Sequence, residues 1–428
     1  MEKICKKLID RLLELGADKA LVIFTQSESS EFNLIYKELN LLRSLESSDI
    51  TINVYKDDKR AIKSINQIDE ASLEEAITEL MQTVAESNPD PAFDIAEYQE
   101  PAVFTDGVLV PDSELIVSRL AEFAQEMKDM YPDVLFDATI SHTHSQTRFM
   151  NSNGVDVSIE RGYYEFSTMF TAKKGGKMSS MNFAYFRASN LDRPCMEINQ
   201  SRELIRQIVE QTHPGTIPQK FVGEVILAPF VLGDLIQTLI QSHFSDNALI
   251  SNLSLYPDHL GQKLFSEKLT ITSRPRDPHQ AVKHFITSDG YLAREEAIID
   301  KGVLRAYPIA TYAANKTGKP VAKCHPYNLV IAPGELSLAE MIAHTKQGIL
   351  CMRASHGKPS AQGDMSTVAK NSYYIKDGKI VCPVKETMIS FNLIEAMNSI
   401  VDFSRETHNA GEMIMPYMRF GGATISGK

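Results

Sequence analysis

The chain has few cysteines and no cysteine motif. Among its 428 residues there are five cysteines, an odd number, widely spaced and without a CxxC pair: Cys5, Cys195, Cys324, Cys351 and Cys382. This pattern argues against a disulfide framework and against a structural zinc knuckle. It favours reduced and mostly buried thiols, as expected in a cytoplasmic protein.

Long apolar runs are also lacking. Residues 1–10 are charged throughout and have no apolar segment of the kind that a signal peptide needs. The most apolar stretch, residues 225–240, is interrupted by Pro229, Gly233 and Asp234. It therefore falls short of the roughly 20 residues that span a membrane. We expect a cytoplasmic location.

Positive charge is scarce. The formal net charge is −11, and residues 1–100 carry 21 acidic side chains against 11 basic ones. Because lysine and arginine contacts to phosphate dominate non-specific DNA affinity, this acidic segment argues against direct binding to nucleic acid. The apolar fraction of 43% and the charged fraction of 23% are typical of a soluble globular protein.

The pattern of apolar residues predicts an α+β fold in three parts. These are an N-terminal α+β domain with a linker (residues 1–110), a central α+β segment (111–220) and a mainly antiparallel β-rich C-terminal domain (221–428). Both N-terminal parts are predicted to combine helices with antiparallel strands. The predicted helices cover residues 3–15, 72–86, 113–131, 197–212, 232–243, 337–346 and 392–400.

Turn and linker signals complete this prediction. Asp57 with Asp58, and Asp377 with Gly378, lie between alternating apolar runs and predict hairpins. Ser72 begins a capping-box pattern that predicts a helix start. Residues 88–111 are rich in proline and acidic residues and are interpreted as a linker.

Residue types alone predict no active site. The sequence has no HExxH, GxSxG or P-loop pattern. His142 and His144 share one face of a predicted strand, but no carboxylate is nearby in sequence, so a surface pair is favoured over a metal site. The neighbours Cys324 and His325 cannot act as nucleophile and base, because adjacent strand residues point to opposite faces.

Beyond residue 220 the chain contains a distinctive series of segments. In order they are VGEVILAP (222–229), LGQKLFSEKLTI (260–271), FITSDGY (285–291), IIDKGVL (298–304), TYAANKTG (311–318), YIKDGKIVCPV (374–384) and a glycine pair at 421–422. This series resembles the TldD/PmbA family, whose PmbA or TldE branch was formerly described as a modulator of DNA gyrase. The resemblance is strong over residues 221–428 and general over 1–220.

The resemblance implies where a metal site would lie. TldD-type members carry HExxxH on the short helix after the first strand of the C-terminal domain, with a third zinc ligand from a cysteine near the C-terminus. At the matching positions this chain has Gln237, Thr238 and Ser242, and a shift of one residue adds only His243. No cysteine occurs in residues 402–411. Amides and hydroxyls are poor zinc ligands and cannot activate water as a base.

The resemblance therefore implies a metal-free, non-catalytic subunit of the PmbA/TldE type. Its partner would be a TldD-type subunit that holds the zinc, in a cytoplasmic protease acting on unfolded peptides, and the assembly would be a homo- or heterodimer. Three alternatives remain at this point: an independent hydrolase built on His142 and His144 or on His243 and His408, a regulator that affects DNA gyrase indirectly, and a purely architectural homodimer.

Overall fold

The computed structural model describes residues 1–35, 38–324 and 326–427. The chain alternates helices with antiparallel strands, and the predicted α+β fold class is confirmed. The helices are α1 (Glu2–Glu14), α2 (Glu70–Glu86), α3 (Ser113–Met130), α4 (Ser201–Glu210), α5 (Pro229–His243), α6 (Asp246–Ile250), α7 (Thr311–Thr317), α8 (Leu338–Ala343) and α9 (Leu393–Asn398). Of the helices within these ranges, none is long and apolar enough to cross a membrane.

The strands form two large sheets. Those of the first sheet are β1 (Lys19–Ile35), β2 (Glu38–Lys56), β3 (Lys59–Ile65), β4 (Ala102–Gly107), β5 (Val134–Asn151), β6 (Asp156–Lys174), β7 (Lys177–Met178) and β8 (Asn182–Ala188). Those of the second are β9 (Phe221–Leu227), β10 (Ile271–Ser273), β11 (Glu296–Asp300), β12 (Val303–Leu304), β13 (Leu329–Ile331), β14 (Gln347–Cys351), β15 (Arg353–His356), β16 (Asp364–Lys370), β17 (Ser372–Lys376), β18 (Lys379–Val384), β19 (Thr387–Asn392), β20 (Ile400–Asn409) and β21 (Ile414–Ser426).

The first sheet has the order β3-β2-β1-β5-β6-β4 and is built from long antiparallel pairs. Strand β1 pairs with β5, so the sheet is continuous across residue 110. Helices α1 and α2 cover one apolar cluster of this sheet, and α3 and α4 cover another. The division of the chain at residues 110 and 220 stays a prediction.

The second sheet packs against α5, the helix on which the resemblance places the metal-site positions. Strand β9 lies between β14, which runs parallel to it, and β21, which runs antiparallel. Most other pairs are antiparallel. Because β9 is central, the chain that leaves it enters α5 directly over the sheet, and the apolar side chains of α5 join the main core of this domain.

The segment predicted as a linker is ordered and braces the C-terminal half. Strand β4 lies within it and pairs in parallel with β6, so the linker prediction was wrong here. The Gln99 side chain donates to the Gly290 carbonyl at 2.7 Å and accepts from the Leu292 N–H at 2.8 Å. The Asp90 carboxylate accepts hydrogen bonds from Tyr312 at 2.8 Å and from Lys316 at 2.6 Å.

The structure also tests two other local predictions, the hairpins and the start of α2. The two hairpins are confirmed, since Asp57, Asp58, Asp377 and Gly378 all have positive φ. The start of α2 was predicted wrongly: the cap is the Asp69 carboxylate, which accepts from the Ser72 N–H at 3.0 Å. An ionised carboxylate is a strong N-cap. The helix therefore begins at Glu70, before the predicted cap Ser72.

Candidate functional site

Helix α5 begins where β9 ends. Pro229 occupies its first turn, where a missing N–H costs nothing and the fixed φ favours the helix. The buried apolar residues recur at helical spacing and pack on the sheet; they are Val231, Leu232, Leu235, Ile236, Leu239 and Ile240. The opposite side of α5 carries the polar residues that the resemblance singles out.

Two cavities flank the polar side of α5. The first, called here the main cavity, has a volume of about 400 Å³ and is lined on the helix by Gln237 and Gln241. The second, the minor cavity, has a volume of about 330 Å³ and is lined by Thr238, Ser242 and again Gln241. Residues four apart share a helix face, which explains this division.

The two cavities separate the residues that stand at the positions of the HExxxH motif. In the register implied by the resemblance, Gln237 and Ser242 replace the first and last histidines. Gln237 lines the main cavity and Ser242 the minor one. The Gln237 amide donates to the Met413 sulfur at 3.6 Å, and the Thr238 hydroxyl donates to the Asp234 carbonyl at 2.8 Å. These side chains do not fit a zinc ion, because they bring neither imidazole, thiolate nor carboxylate to a common point.

His243 is a core residue. Its side chain is 2% exposed and packs edge-to-face against Tyr256 and Phe244. Its Nδ1 accepts from the Leu255 N–H at 3.4 Å, so the ring proton resides on Nε2, which has no hydrogen-bond partner among the described residues. Burial lowers the pKa of His243. In the register shifted by one residue, the only imidazole is therefore that of His243, which faces the core rather than either cavity.

Acid is expected to destabilise the fold through its buried imidazoles. Burial lowers the pKa of four histidines below the ordinary value: His142, His243, His284 and His408. The folded state then binds fewer protons than the unfolded state, so stability is complete above pH of about 6.5 and falls as pH decreases below it. Denaturant midpoints measured from pH 8 to pH 5.5 should fall, and His243→Gln should flatten this decline. The control His279→Gln, at an exposed position, should leave the decline unchanged, and equal effects would contradict the assignment.

The histidine pair on β5 is held by two separate partners. His142 is 2% exposed, and its Nε2 donates to the Val108 carbonyl at 2.6 Å. His144 Nε2 lies 3.0 Å from a carboxylate oxygen of Glu160, on the neighbouring strand β6. The predicted surface location was therefore wrong for His142, and strand pairing supplied the carboxylate that was missing nearby in sequence. Neither arrangement leaves both imidazoles free for one metal.

The other candidates are not brought together. His408 packs against Tyr417 and lines a cavity with His279 and Arg187, whereas His243 is the last residue of α5 and lies in an aromatic core. Burial raises the pKa of Cys324 to about 12, which makes it a poor nucleophile. His325 lies outside the described residues. Within residues 1–35, 38–324 and 326–427, no group of three or more His, Cys, Asp or Glu side chains could hold a metal ion.

The structure adds residues that the sequence did not single out. Asp246 and Asp289 both line the main cavity, although they are 43 residues apart in the chain. Met413 contacts Gln237 although 176 residues separate them. The local sequence Ser288-Asp289-Gly290 is typical of a turn, but this pattern does not indicate what the turn faces.

Two family profiles match the chain. Residues 220–427 match the "PmbA/TldA metallopeptidase C-terminal domain", and residues 110–212 match the "PmbA/TldA metallopeptidase central domain". An uncharacterized protein from Methanocaldococcus jannaschii is 22% identical over 98% of this chain and 100% of its own length. The metalloprotease PmbA homolog of Haemophilus influenzae is 20% identical over 89% and 88% of the two chains. The zinc metalloprotease TldD homolog of Saccharolobus solfataricus is 26% identical over 49% and 50%.

Solved structures agree with these matches in fold. A protein from Bacteroides thetaiotaomicron described as a candidate modulator of DNA gyrase superposes with a TM-score of 0.88 at 20% identity, covering 100% of this chain and 99% of its own. TldE from Thermococcus kodakarensis superposes with a TM-score of 0.84 at 17% identity, covering 99% and 100%. The family expected from the sequence is thus confirmed: this chain belongs to the PmbA/TldD family of metallopeptidase-like proteins.

Proposed function

We propose that this chain is a metal-free PmbA/TldE-like subunit of a TldD/TldE-type zinc metalloprotease that acts on unfolded peptides. One observation carries the proposal. The helix that would hold the metal presents Gln237 to one cavity and Thr238 with Ser242 to another. A zinc hydrolase needs several good ligands around one point and a base for its water, and these residue types supply neither.

A histidine-based hydrolase has less support. Such an enzyme would need two free imidazoles with a further metal ligand, or an imidazole with a nucleophile, facing a common space. His142 and His144 each have their own hydrogen-bond partner, and His243 faces the core. These contacts support the proposed non-catalytic role.

The C-terminal sheet offers an edge for an extended peptide. Strand β18 pairs on one side with β17, and Ile380 and Val381 are 46% and 56% exposed. An extended peptide can add to such an edge through main-chain hydrogen bonds, largely independent of its sequence. Pro383, near the end of the strand, limits how far such pairing extends, as is common for edge strands. We propose that this edge contributes to the channel that guides substrate to the partner's zinc.

The partner requirement is tested by isolating the native assembly. Tagged chain purified from its own cells is expected to bring down a TldD-type protein that carries HExxxH, at about a 1:1 ratio as expected for a dimer. Mass spectrometry identifies the partner, and size-exclusion chromatography with light scattering gives the ratio. Recovery of the chain solely as a homodimer, from cells that contain a TldD-type protein, would contradict the proposed assembly and favour the architectural alternative.

A further inference from the structure

The main cavity has an apolar wall of the kind that surrounds a side-chain stem. Its lining includes Ile240 of α5 together with Ile309, Ala322 and Pro326 from the loops around α7. Its volume of about 400 Å³ lies within the range of about 300 to 1,000 Å³ that small ligands occupy. A large amino-acid side chain would fit within this volume.

Two carboxylates face this apolar wall. Asp246 begins α6, and one of its oxygens accepts from the Ala310 N–H at 3.0 Å. Asp289 accepts from the Thr287 hydroxyl at 2.6 Å, from the Thr311 N–H at 2.8 Å and from the Thr311 hydroxyl. Burial, and the nearby charge of Asp289, raise the pKa of Asp246. The two acids therefore repel each other in a partly desolvated space.

No cation within the described ranges offsets this repulsion. Neither Asp246 nor Asp289 forms an ion pair there, and the described lining of the cavity contains no lysine, arginine or histidine. Elsewhere, by contrast, Asp90 pairs with Lys316 and Asp106 with Lys283. Two partly buried carboxylates are costly to keep ionised, and a bound cation would relieve that cost.

Hydrogen bonds and packing hold the loop that carries Asp289 in place. Gln99 bonds the carbonyl of Gly290, and the Ala96 N–H donates to the carbonyl of Asp289 itself at 3.3 Å. Gly290 has a φ of +104° and lies against the Phe149 ring, where a Cβ atom would approach within 2.4 Å. The position of the Asp289 carboxylate is thus fixed by packing before any ligand arrives, which favours binding by lowering its ordering cost.

We propose that the main cavity binds the basic side chain of a peptide, an arginine or a lysine. The aliphatic stem would lie against Ile240, Ile309 and Ala322, and the charged head would reach Asp246 and Asp289. Long basic side chains combine these two chemistries, which simple metal cations do not. The inference rests on the proposed function because it takes the ligand to be a peptide, and it gives the guiding subunit a preference for basic residues.

The test uses a terminally blocked five-residue peptide with one central arginine, titrated calorimetrically into the isolated full chain at pH 8, where a solvated imidazole is neutral. We expect saturable binding, and binding at least about tenfold weaker for the same peptide with citrulline, which keeps the shape and loses the charge. Asp246→Asn should also weaken arginine binding by at least about tenfold while its amide oxygen still accepts from Ala310. The matched control Asp300→Asn, at a surface carboxylate paired with Arg305, should leave binding unchanged.

Equal binding of the arginine and citrulline peptides, no binding of either, or equal effects of the two variants would overturn the proposal. Displacement of the peptide by calcium or magnesium at micromolar concentration would also overturn it, because the cavity would then be a metal site. These outcomes leave the proposed subunit role standing if the chain still associates with a TldD-type partner. Failure of that association, with arginine binding intact, would overturn the subunit role alone.

Discussion

A chain carrying Gln237→His, Gln241→His and Met413→Cys is expected to bind about one equivalent of zinc with sub-micromolar affinity. Positions 237 and 241 line the same cavity at a spacing of one helical turn, which zinc sites use for two imidazoles. The Met413 sulfur lies 3.6 Å from the Gln237 amide nitrogen, so position 413 faces position 237, and a cysteine there is expected to supply the third ligand.

The matched control distinguishes geometry from residue type. Gln237→His, Thr238→His and Met413→Cys also introduces two imidazoles and a thiolate, but positions 237 and 238 line different cavities. Competition with a chromophoric chelator should show zinc binding at least about 100-fold weaker in this second variant. Equal affinity of the two variants would show that α5 rearranges around a metal and that its present geometry does not decide ligand choice.

Arg353→Ala is expected to lower the free energy of unfolding by about 3 kcal/mol or more. The guanidinium of Arg353 is stacked between the rings of Phe183, at 3.7 Å, and of Phe230 on α5, at 4.4 Å. It donates to the Asn182 side chain at 2.9 Å and to the Phe183 carbonyl, both on β8 of the first sheet. Removing it opens a cavity and takes one donor from each of these two acceptors, at the junction of the first sheet with the start of α5.

Burying the charged Arg353 side chain is costly, although its contacts stabilise the fold. Burial lowers the pKa of Arg353 to about 10, so the side chain is still charged at neutral pH. Urea unfolding monitored by tyrosine fluorescence measures the change in stability. Arg305→Ala, which removes a surface arginine paired with Asp300, should change stability by no more than about 0.5 kcal/mol. A similar effect of the two substitutions would remove Arg353 from its role as the anchor of α5.

Local sequence patterns predicted the elements whose cause is local. Helix α5 was predicted over residues 232–243 from its apolar spacing, although it begins three residues earlier at Pro229, and the Asp377–Gly378 hairpin follows from residues that tolerate positive φ. The residue types at positions 237, 238 and 242, which are poor zinc ligands, are likewise known from the sequence alone.

Contacts across the chain decided what the sequence did not show. The brace at residues 90–99 depends on Gly290, Tyr312 and Lys316, which are about 200 residues away and carry no matching local pattern. Glu160 reaches His144 only because β6 pairs with β5 in one register. The division of α5 between two cavities depends on loops from four parts of the C-terminal half, so no periodicity in α5 alone predicts it.

Metal content measured alongside peptide cleavage tests the proposed subunit role most directly. The chain is treated with chelator, dialysed against zinc and analysed by mass spectrometry of the metal, alone and mixed with the TldD-type partner, with an unfolded fluorescent peptide as substrate. We expect less than about 0.1 equivalent of zinc and no cleavage for the chain alone. For the mixture we expect about one equivalent per pair, with cleavage. Stoichiometric zinc and chelator-sensitive cleavage by the isolated chain would contradict the proposed role.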